Sequence, residues 1–177
     1  MMEHTIIGKC WVGTDSLTVY QVIPEKHWTM DRMDPEKMSD WVFETVEPGA
    51  ENEPGYFKRL GYTVIIAGKD FGCGSKSVEH PMAALKGAGV KLVIADSFSR
   101  YSYRNAINLG LPVITCPGIR DIVHTGDTIE ADTVNGKLKN LTTGQEITKT
   151  PLSDFARAII EAGGSVAYAK QHMGKGD

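Results

Sequence analysis

The middle third of the chain alternates short apolar runs with segments of helical periodicity. Three runs rich in Val, Ile and Leu have the composition of strands that are buried on both faces of a sheet. A helical pattern follows the first run, and another follows the second. Strand, helix, strand, helix, strand at this spacing predicts parallel strands joined by crossover helices. The predicted strands are 62–68, 91–97 and 111–117, and the predicted helices are 79–88 and 99–110, the second closed by Gly110.

The first third of the chain is less regular. A helix is predicted over 34–46, because Asp34 can cap it and Pro35 suits the first helical position. The stretch 48–61 is rich in Pro, Gly and acidic residues and is typical of a loop. Clusters of β-branched residues predict two strands, at 5–12 and 17–23.

The pattern changes again after residue 120. Turn signals at Asn135-Gly136 and Thr143-Gly144 separate short runs within 127–150, which predicts an antiparallel β-meander. Pro151 is then expected to open a helix that ends at Gly163-Gly164, and 165–173 predicts a short final helix. The apolar stripe expected on the first of these helices is Leu152, Phe155, Ile159 and Ile160. The chain is therefore predicted to be α/β, with a parallel central sheet, helices and an antiparallel β annex.

Composition and charge exclude several classes of function. With 177 residues, 41% of them hydrophobic and 23% charged, the chain has the composition of one soluble globular domain. The net charge is −3 and the basic residues are scattered, which gives no electrostatic reason to expect nucleic acid. No apolar run reaches the roughly 18 residues of a membrane helix, and the first ten residues lack a secretory pattern. A cytoplasmic protein is expected.

The three cysteines indicate neither a disulfide framework nor a metal centre within the chain. The number of cysteines is odd, they are far apart in the sequence, and no two of them form a CxxC pair; they are Cys10, Cys73 and Cys116. A self-contained zinc or iron–sulfur site usually requires four close ligands. Buried or half-buried free thiols are expected, and Cys73 is expected to serve as a small residue in a tight turn.

The segment DFGCGSKSVEHP, residues 70–81, carries the strongest candidate chemistry. It follows a predicted strand and opens a predicted helix, so its backbone N–H groups and the helix dipole favour an anion. The spacings of a P-loop, a dinucleotide fingerprint and a nucleophile elbow are all absent. The loop could present Ser75, Lys76 and Ser77 to a carboxylate, with a serine as a base. Alternatively, it is only a tight turn with Ser77 as N-cap and Glu79 in the first helical turn.

The order of several motifs resembles the small subunit of 3-isopropylmalate dehydratase, the swivelling domain of the aconitase superfamily. The motifs are FGCGS (71–75), EHP (79–81), VIADSFSR (93–100) and YRNAINLGLPVI (103–114). The usual family form of the loop is FGCGSSREHA. The resemblance is strong over 61–118, extends less clearly to the C-terminal meander and helix, and is weak before residue 50.

This resemblance implies a swivelling β/β/α fold over residues 1–177 and a larger partner subunit that carries a 4Fe–4S cluster, none being bound by this chain. The substrate implied is a small hydroxy acid. Ser75 matches the family serine that acts as an alkoxide base. Gly74, Lys76 and Ser77 are expected to contact the substrate beside it. Whether isolated subunits associate with one another stays open.

The chain departs from the family pattern in three places. The loop is one residue longer and lacks the arginine that would hold a substrate carboxylate, for which Lys76 offers a charge without a bidentate fork. Tyr20 stands where the family has an active-site aspartate. The third departure is the segment EKHWTMDRMDP, which replaces the family's specificity loop. Its candidate substrate-binding cations are Lys26, His27 and Arg32, its candidate apolar wall is Trp28 and Met30, and each of these is equally well explained as a solvated loop residue.

Residues around the loop are expected to support it. Arg104 and Asn105 are expected to brace it from the neighbouring helix, and His80 to hydrogen-bond beneath it. The predicted function is that of the small subunit of an iron–sulfur hydro-lyase, with 3-isopropylmalate as the default substrate. Homoaconitate, citraconate and methylated or dimethylated malate are alternative substrates. A non-catalytic swivel subunit and a stand-alone anion-binding module are alternatives of a different class.

Overall fold

A computed structural model describes residues 5–29, 33–75 and 78–173 of the chain. Seven strands form one sheet, in the spatial order β4-β3-β2-β1-β5-β6-β7. The strands are β1 (Thr5–Val12), β2 (Val64–Ala67), β3 (Leu92–Ala95), β4 (Val113–Thr115), β5 (Thr128–Asp132), β6 (Lys137–Asn140) and β7 (Glu146–Thr148).

Strand β1 joins a parallel half of the sheet to an antiparallel half. On one side it runs parallel to β2, with Cys10 opposite Val64, and on the other it runs antiparallel to β5, with Ile7 opposite Glu130. The strands β2, β3 and β4 are parallel to one another, while β5, β6 and β7 form the predicted meander. The predicted α/β class is confirmed, and the antiparallel annex is a continuation of the central sheet.

Both faces of the parallel half are covered. Ile65 and Ala67 of β2 point into a core formed with the helices, while Val64 and Ile66 point into a second core on the opposite face. All four side chains are fully buried, which explains why the strand sequence is a continuous apolar run rather than an alternating one. Burial of each large aliphatic side chain contributes about 1.5–3 kcal/mol to folding.

The helices cover one face of the sheet, and strands with a short 3₁₀ turn at 119–121 close the other. Serine hydroxyls start two of the longer helices, because the side chain of Ser99 accepts a hydrogen bond from the Ser102 N–H and that of Ser153 accepts one from the Ala156 N–H. The helices are α1 (Val19–Val22), α2 (Pro35–Ser39), α3 (Tyr56–Leu60), α4 (His80–Gly87), α5 (Arg100–Asn108), α6 (Asp154–Glu161) and α7 (Ser165–Met173).

The strand predicted at 17–23 is wrong. The segment contains the one-turn helix α1, which begins with a capping box between Thr18 and Gln21. The Thr18 side chain accepts a hydrogen bond from the Gln21 N–H, and the Gln21 side chain accepts one from the Thr18 N–H. These reciprocal bonds outweigh the β preference of the branched residues.

Three other boundaries differ from the prediction. The helix expected over 34–46 begins as predicted, with Asp34 as its cap, but its regular part ends at Ser39. The stretch predicted as a loop contains α3. Ser153 rather than Pro151 starts α6, and Phe155 is 66% exposed although it was expected in the apolar stripe. No helix in the described ranges combines the length and apolar character needed to cross a bilayer.

Candidate functional site

The glycine loop lies where the carboxyl ends of three parallel strands meet. It connects β2 to α4 and runs between the loop after β1 and the loop after β3. On the first side, the Gly72 N–H donates to the Leu17 carbonyl at 2.8 Å and the Val19 N–H donates to the Cys73 carbonyl at 2.9 Å. The carboxyl edge of a parallel sheet is where open α/β proteins bind ligands. The loop is therefore held by the backbone in the position expected of a binding site.

Helix α5 holds the other side of the loop through a stripe of small polar residues. The Ser99 and Ser102 hydroxyls both donate to the Gly72 carbonyl, at 2.8 and 2.7 Å. The Asn105 side-chain amide donates to the Val78 carbonyl at 2.9 Å. Asn105 thus makes the bracing contact expected of it. The two serines were missed by the sequence analysis, although their spacing with Asn105, three residues apart along one helix face, was a readable signal.

Two glycines are required by the shape of the loop. Gly72 has φ of +76° and Gly74 has φ of +92°, in the left-handed region that other residues rarely adopt. A Cβ atom at Gly72 would overlap the Ser102 side chain, and one at Gly74 would lie 3.3 Å from the Thr18 Cβ. The glycines therefore allow the backbone to approach α5 and α1 closely.

Ser75 is half-buried and lies immediately after these glycines. Among the described residues, no hydrogen-bond partner is found for its hydroxyl. Lys76 and Ser77 lie outside the described residues. Glu79, which was expected in the first turn of the next helix, is the N-cap of α4 and makes no side-chain capping bond.

Cys73 is half-buried in the loop, and its surroundings favour the neutral thiol. Its Sγ lies 3.5 Å from the Ser16 carbonyl. Burial raises the pKa of Cys73, and the nearby negative charge of Asp70 raises it further. A thiol with a raised pKa is a weak nucleophile at neutral pH, which agrees with the expectation of a small turn residue.

Two of the predicted substrate-binding cations are paired with an acid that the sequence analysis did not single out. Lys26 Nζ and His27 Nε2 each lie 3.0 Å from a different oxygen of Glu44. Glu44 is 5% exposed, and the His27 ring stacks on Trp41 with centroids 4.1 Å apart. Burial acts to raise the pKa of Glu44, but the hydrogen bonds and charges of Lys26 and His27 outweigh it and hold the pKa below its usual range. The third predicted cation, Arg32, lies outside the described residues, as does Met30.

The Glu44 contacts predict a pH-dependent stability. Glu44→Gln is expected to lower the free energy of unfolding at pH 7 by about 1.5–3 kcal/mol, the usual contribution of hydrogen bonds to charged groups. The folded-state pKa of Glu44 lies below its ordinary value of 4.5, so the carboxylate's contribution is complete above about pH 4.5 and is lost as the pH falls through the lower folded value. Urea unfolding of both proteins between pH 7 and pH 3 should therefore show their difference shrinking below pH 4.5.

The exposed residue Glu36 provides the matched control for this experiment, since no hydrogen bond or ion pair of its carboxylate is found among the described residues. Glu36→Gln is expected to change the unfolding free energy by less than about 0.5 kcal/mol at each pH. A difference between wild type and Glu44→Gln that stays constant over the whole pH range would contradict the assignment.

Three aromatic side chains form a stack beside the loop. This ring stack consists of Tyr20, Trp28 and His80. The Tyr20 and Trp28 centroids are 5.6 Å apart with planes 12° from parallel, and those of Trp28 and His80 are 5.3 Å apart and 16° from parallel. His80 was expected to hydrogen-bond beneath the loop. Its buried Nδ1 has no partner among the described residues, and its ring packs against that of Trp28.

Arg104 makes no bracing contact with the described part of the loop. It is exposed on α5, and no hydrogen-bond or ion-pair partner for it is found among the described residues. Of the two residues expected to brace the loop from this helix, Asn105 alone makes such a contact within the described ranges.

The cysteines of this chain are not suited to hold an iron–sulfur cluster. Cys10 and Cys116 are fully buried in the core, and burial raises the pKa of Cys10 to about 12 and that of Cys116 above its ordinary value. Cluster ligands must be thiolates, which such environments disfavour. Within the described residues, no three His, Cys, Asp or Glu side chains are grouped to hold a metal ion.

Comparison with known proteins places this fold and loop in a family. Residues 28–117 match the model of the aconitase C-terminal domain. The chain is 45% identical to the 3-isopropylmalate dehydratase small subunit 1 of Methanopyrus kandleri, over 96% of this chain and 95% of the relative. It is 38% identical to the isopropylmalate/citramalate isomerase small subunit of Methanocaldococcus jannaschii, over 97% of this chain and 98% of the relative.

A solved structure gives the same result. The crystal structure of 3-isopropylmalate dehydratase from Methanocaldococcus jannaschii superposes with a TM-score of 0.81 at 30% identity, covering 96% of this chain and 95% of that one. Sequence and fold agree over nearly the full length of both chains. The chain belongs to the family of 3-isopropylmalate dehydratase small subunits, within the aconitase superfamily.

Proposed function

We propose that this chain is the catalytic small subunit of a heteromeric hydro-lyase that isomerises 3-isopropylmalate and 2-isopropylmalate in leucine biosynthesis. It acts in the cytoplasm as a single swivelling domain that docks on a cluster-bearing large subunit. The observation that carries the proposal is the loop itself. A half-exposed serine follows two left-handed glycines at the carboxyl edge of the sheet, and the loop is held from both sides by hydrogen bonds.

In the proposed reaction, Ser75 moves the proton. As an alkoxide, its Oγ takes a proton from the carbon next to the one that bears the hydroxyl group. The electron pair of that C–H bond forms the C=C bond, and the hydroxyl group leaves from the neighbouring carbon as hydroxide, taking the C–O bonding pair with it. This hydroxide and the proton held on Ser75 together make up the water that is removed. Hydration of the alkene in the other orientation returns the proton from Ser75 and completes the isomerisation.

A serine is a weak acid in water, so its anion needs stabilisation by the site. Backbone N–H groups in a glycine-rich turn can supply it without reorganisation during the reaction. Gly72 and Gly74 allow the turn that presents them, and the serine and asparagine stripe on α5 fixes that turn in place. In this proposal, Gly74, Lys76 and Ser77 complete the substrate contacts on the loop.

The proposed partner subunit supplies the iron–sulfur cluster. The described residues of this chain do not fit the cluster that the family resemblance implies, since the buried cysteines are held as thiols. The cluster is therefore assigned to the large subunit, and the substrate is placed between the two chains.

One relative supports a second substrate. The small subunit from Methanocaldococcus jannaschii is named for both isopropylmalate and citramalate. Its alignment covers 97% of this chain at 38% identity. Citramalate carries a methyl group where isopropylmalate carries a larger branched group. We therefore include the citramalate–citraconate pair as the alternative substrate of the same proposed reaction.

The test is reconstitution with the cognate large subunit. The two chains are purified together without oxygen, the cluster is rebuilt, and alkene absorbance is followed with 3-isopropylmalate or citramalate. The expected result is turnover that requires both chains, with the large subunit alone as control. A complex that forms but converts neither substrate would contradict the proposal and favour a non-catalytic swivel subunit. Binding of anions by the isolated chain without any partner would instead favour a stand-alone module.

A further inference from the structure

The start of the glycine loop, residues 71–73, is held almost entirely by backbone hydrogen bonds. The N–H and the carbonyl of Phe71 bond backbone groups of the segment after β3, at 3.0 and 2.9 Å. The Gly72 N–H and the Cys73 carbonyl bond backbone groups at the start of α1, at 2.8 and 2.9 Å. The Gly72 carbonyl is the exception among these groups, because its partners in the described residues are two serine hydroxyls. The identity of those two side chains therefore decides whether this carbonyl has a partner.

Both hydroxyls are supplied by the first turn of α5. Ser99 is the N-cap, and its oxygen also accepts a hydrogen bond from the Ser102 N–H at 3.3 Å. Ser102 is 2% exposed, and its hydroxyl lies 2.7 Å from the Gly72 carbonyl oxygen, against 2.8 Å for the hydroxyl of Ser99. A carbonyl oxygen has two lone pairs and can accept both bonds at once. The helix thus presents two donors to a single acceptor in the loop.

Ser75 lies three residues beyond this doubly bonded carbonyl. The residue between them that precedes Ser75 is Gly74, whose Cβ position lies 3.3 Å from the Thr18 Cβ. No acceptor for the N–H of Gly74 or of Ser75 is found in the part of the chain that the structure describes. The position of Ser75 therefore depends on the bonds that fix residues 71–73. A misplacement of about 1 Å can slow an enzymatic reaction about 100-fold, so these bonds affect the rate.

We propose that Ser99 and Ser102 are positioning residues for the Ser75 base, which they hold in place through the Gly72 carbonyl. Gly72 is buried, so its carbonyl can find water as a replacement partner only if the loop moves. Such a movement displaces the Ser75 hydroxyl relative to the substrate carbon whose proton it takes. This inference rests on the proposed function and adds to it two residues that act through the loop.

The first variant is Ser102→Ala, and the measurement is kcat and KM of the reconstituted complex with 3-isopropylmalate. The substitution removes one donor and leaves the helix cap in place, because the cap uses the backbone N–H of residue 102. We expect kcat to fall about 3- to 10-fold, which corresponds to the loss of one neutral hydrogen bond. KM should stay within about twofold of the wild-type value, because a displaced base affects the transition state and not the binding of substrate.

Two substitutions of Ser99 separate the hydroxyl's donated bond from its capping role. Ser99→Asp keeps an acceptor for the helix cap, but a carboxylate cannot donate to the Gly72 carbonyl. It is expected to lower kcat at least as much as Ser102→Ala does. Ser99→Thr keeps both the cap and the donor, so it is expected to restore most of the wild-type kcat.

Ser39→Ala is the matched control, since Ser39 is also fully buried and its hydroxyl donates to the Glu36 carbonyl at 2.5 Å, outside the loop. It should leave kcat unchanged. Equal losses in Ser39→Ala and Ser102→Ala, an unchanged kcat in Ser102→Ala, or a Ser99→Thr complex as slow as Ser99→Asp overturns this inference and leaves the proposed hydro-lyase function intact. A wild-type complex with no turnover overturns both.

Discussion

Ser75→Ala will lower kcat of the reconstituted complex by about 10²–10⁴-fold, the range that a positioned general base contributes. The methyl group of alanine can neither take the proton from the substrate carbon nor return it. KM should change little, because the glycine turn and the contacts of α5 with the loop are untouched by the substitution. Steady-state kinetics with 3-isopropylmalate, read through alkene absorbance, give both parameters.

Two controls show whether such a loss comes from chemistry. Ser165 is half-exposed, as Ser75 is, and lies at the start of α7, so Ser165→Ala should retain full activity. Urea unfolding of Ser75→Ala should match that of wild type within about 0.5 kcal/mol, as is usual for surface substitutions. A Ser75→Ala complex with at least half of the wild-type rate would remove the serine from the mechanism.

Gly72→Ala is expected to destabilise the chain by about 2–5 kcal/mol. A left-handed backbone costs a non-glycine residue about 1–2 kcal/mol, and overpacking against a fixed neighbour adds about 1–3 kcal/mol. Both effects apply here, because Gly72 has φ of +76° and its Cβ would overlap the Ser102 side chain. The overlap also pushes the Gly72 carbonyl away from the two serine hydroxyls that hold it, so activity should fall along with stability.

Gly61→Ala separates the cost of the left-handed backbone from the cost of steric overlap. Gly61 has φ of +72°, close to that of Gly72, but nothing lies within 4 Å of a Cβ atom built there. It should therefore show only the backbone cost of about 1–2 kcal/mol and normal activity. Urea unfolding and kinetics of both variants provide the comparison. Equal destabilisation by the two substitutions would mean that the close approach of the loop to α5 is unimportant.

The sequence predicted the central part of the fold well because burial on both faces leaves a strong pattern. The runs that became β2, β3 and β4 are continuous and apolar, and Gly110 marks the end of the second helix between them. The error at 17–23 has a local cause. Its β-branched residues favour a strand, but the capping box of Thr18 and Gln21 starts a helix one turn long.

The site was only partly predictable, because some of its residues are neighbours in the sequence and others meet only in the folded chain. The glycine loop and its serine are contiguous in sequence, so their spacing could be read directly, and Asn105 belongs to a recognisable motif. Glu44 lies 18 residues from Lys26 and 17 from His27 in an irregular segment, and nothing in the local pattern indicates that it binds both. The contact of Trp28 with His80 likewise joins residues far apart in the chain.

The sequence by itself determined that the chain is α/β and that a glycine turn with Ser75 follows a buried apolar strand. These are properties of local order, which hydrophobic periodicity and glycine spacing express directly. The resemblance to the family added that the family arginine and aspartate are absent. Only the tertiary structure decided that Lys26 and His27 turn toward Glu44 and that Tyr20, Trp28 and His80 stack beside the loop. Side chains separated by tens of residues are brought together by packing, and the charge or ring that each one meets depends on that packing alone.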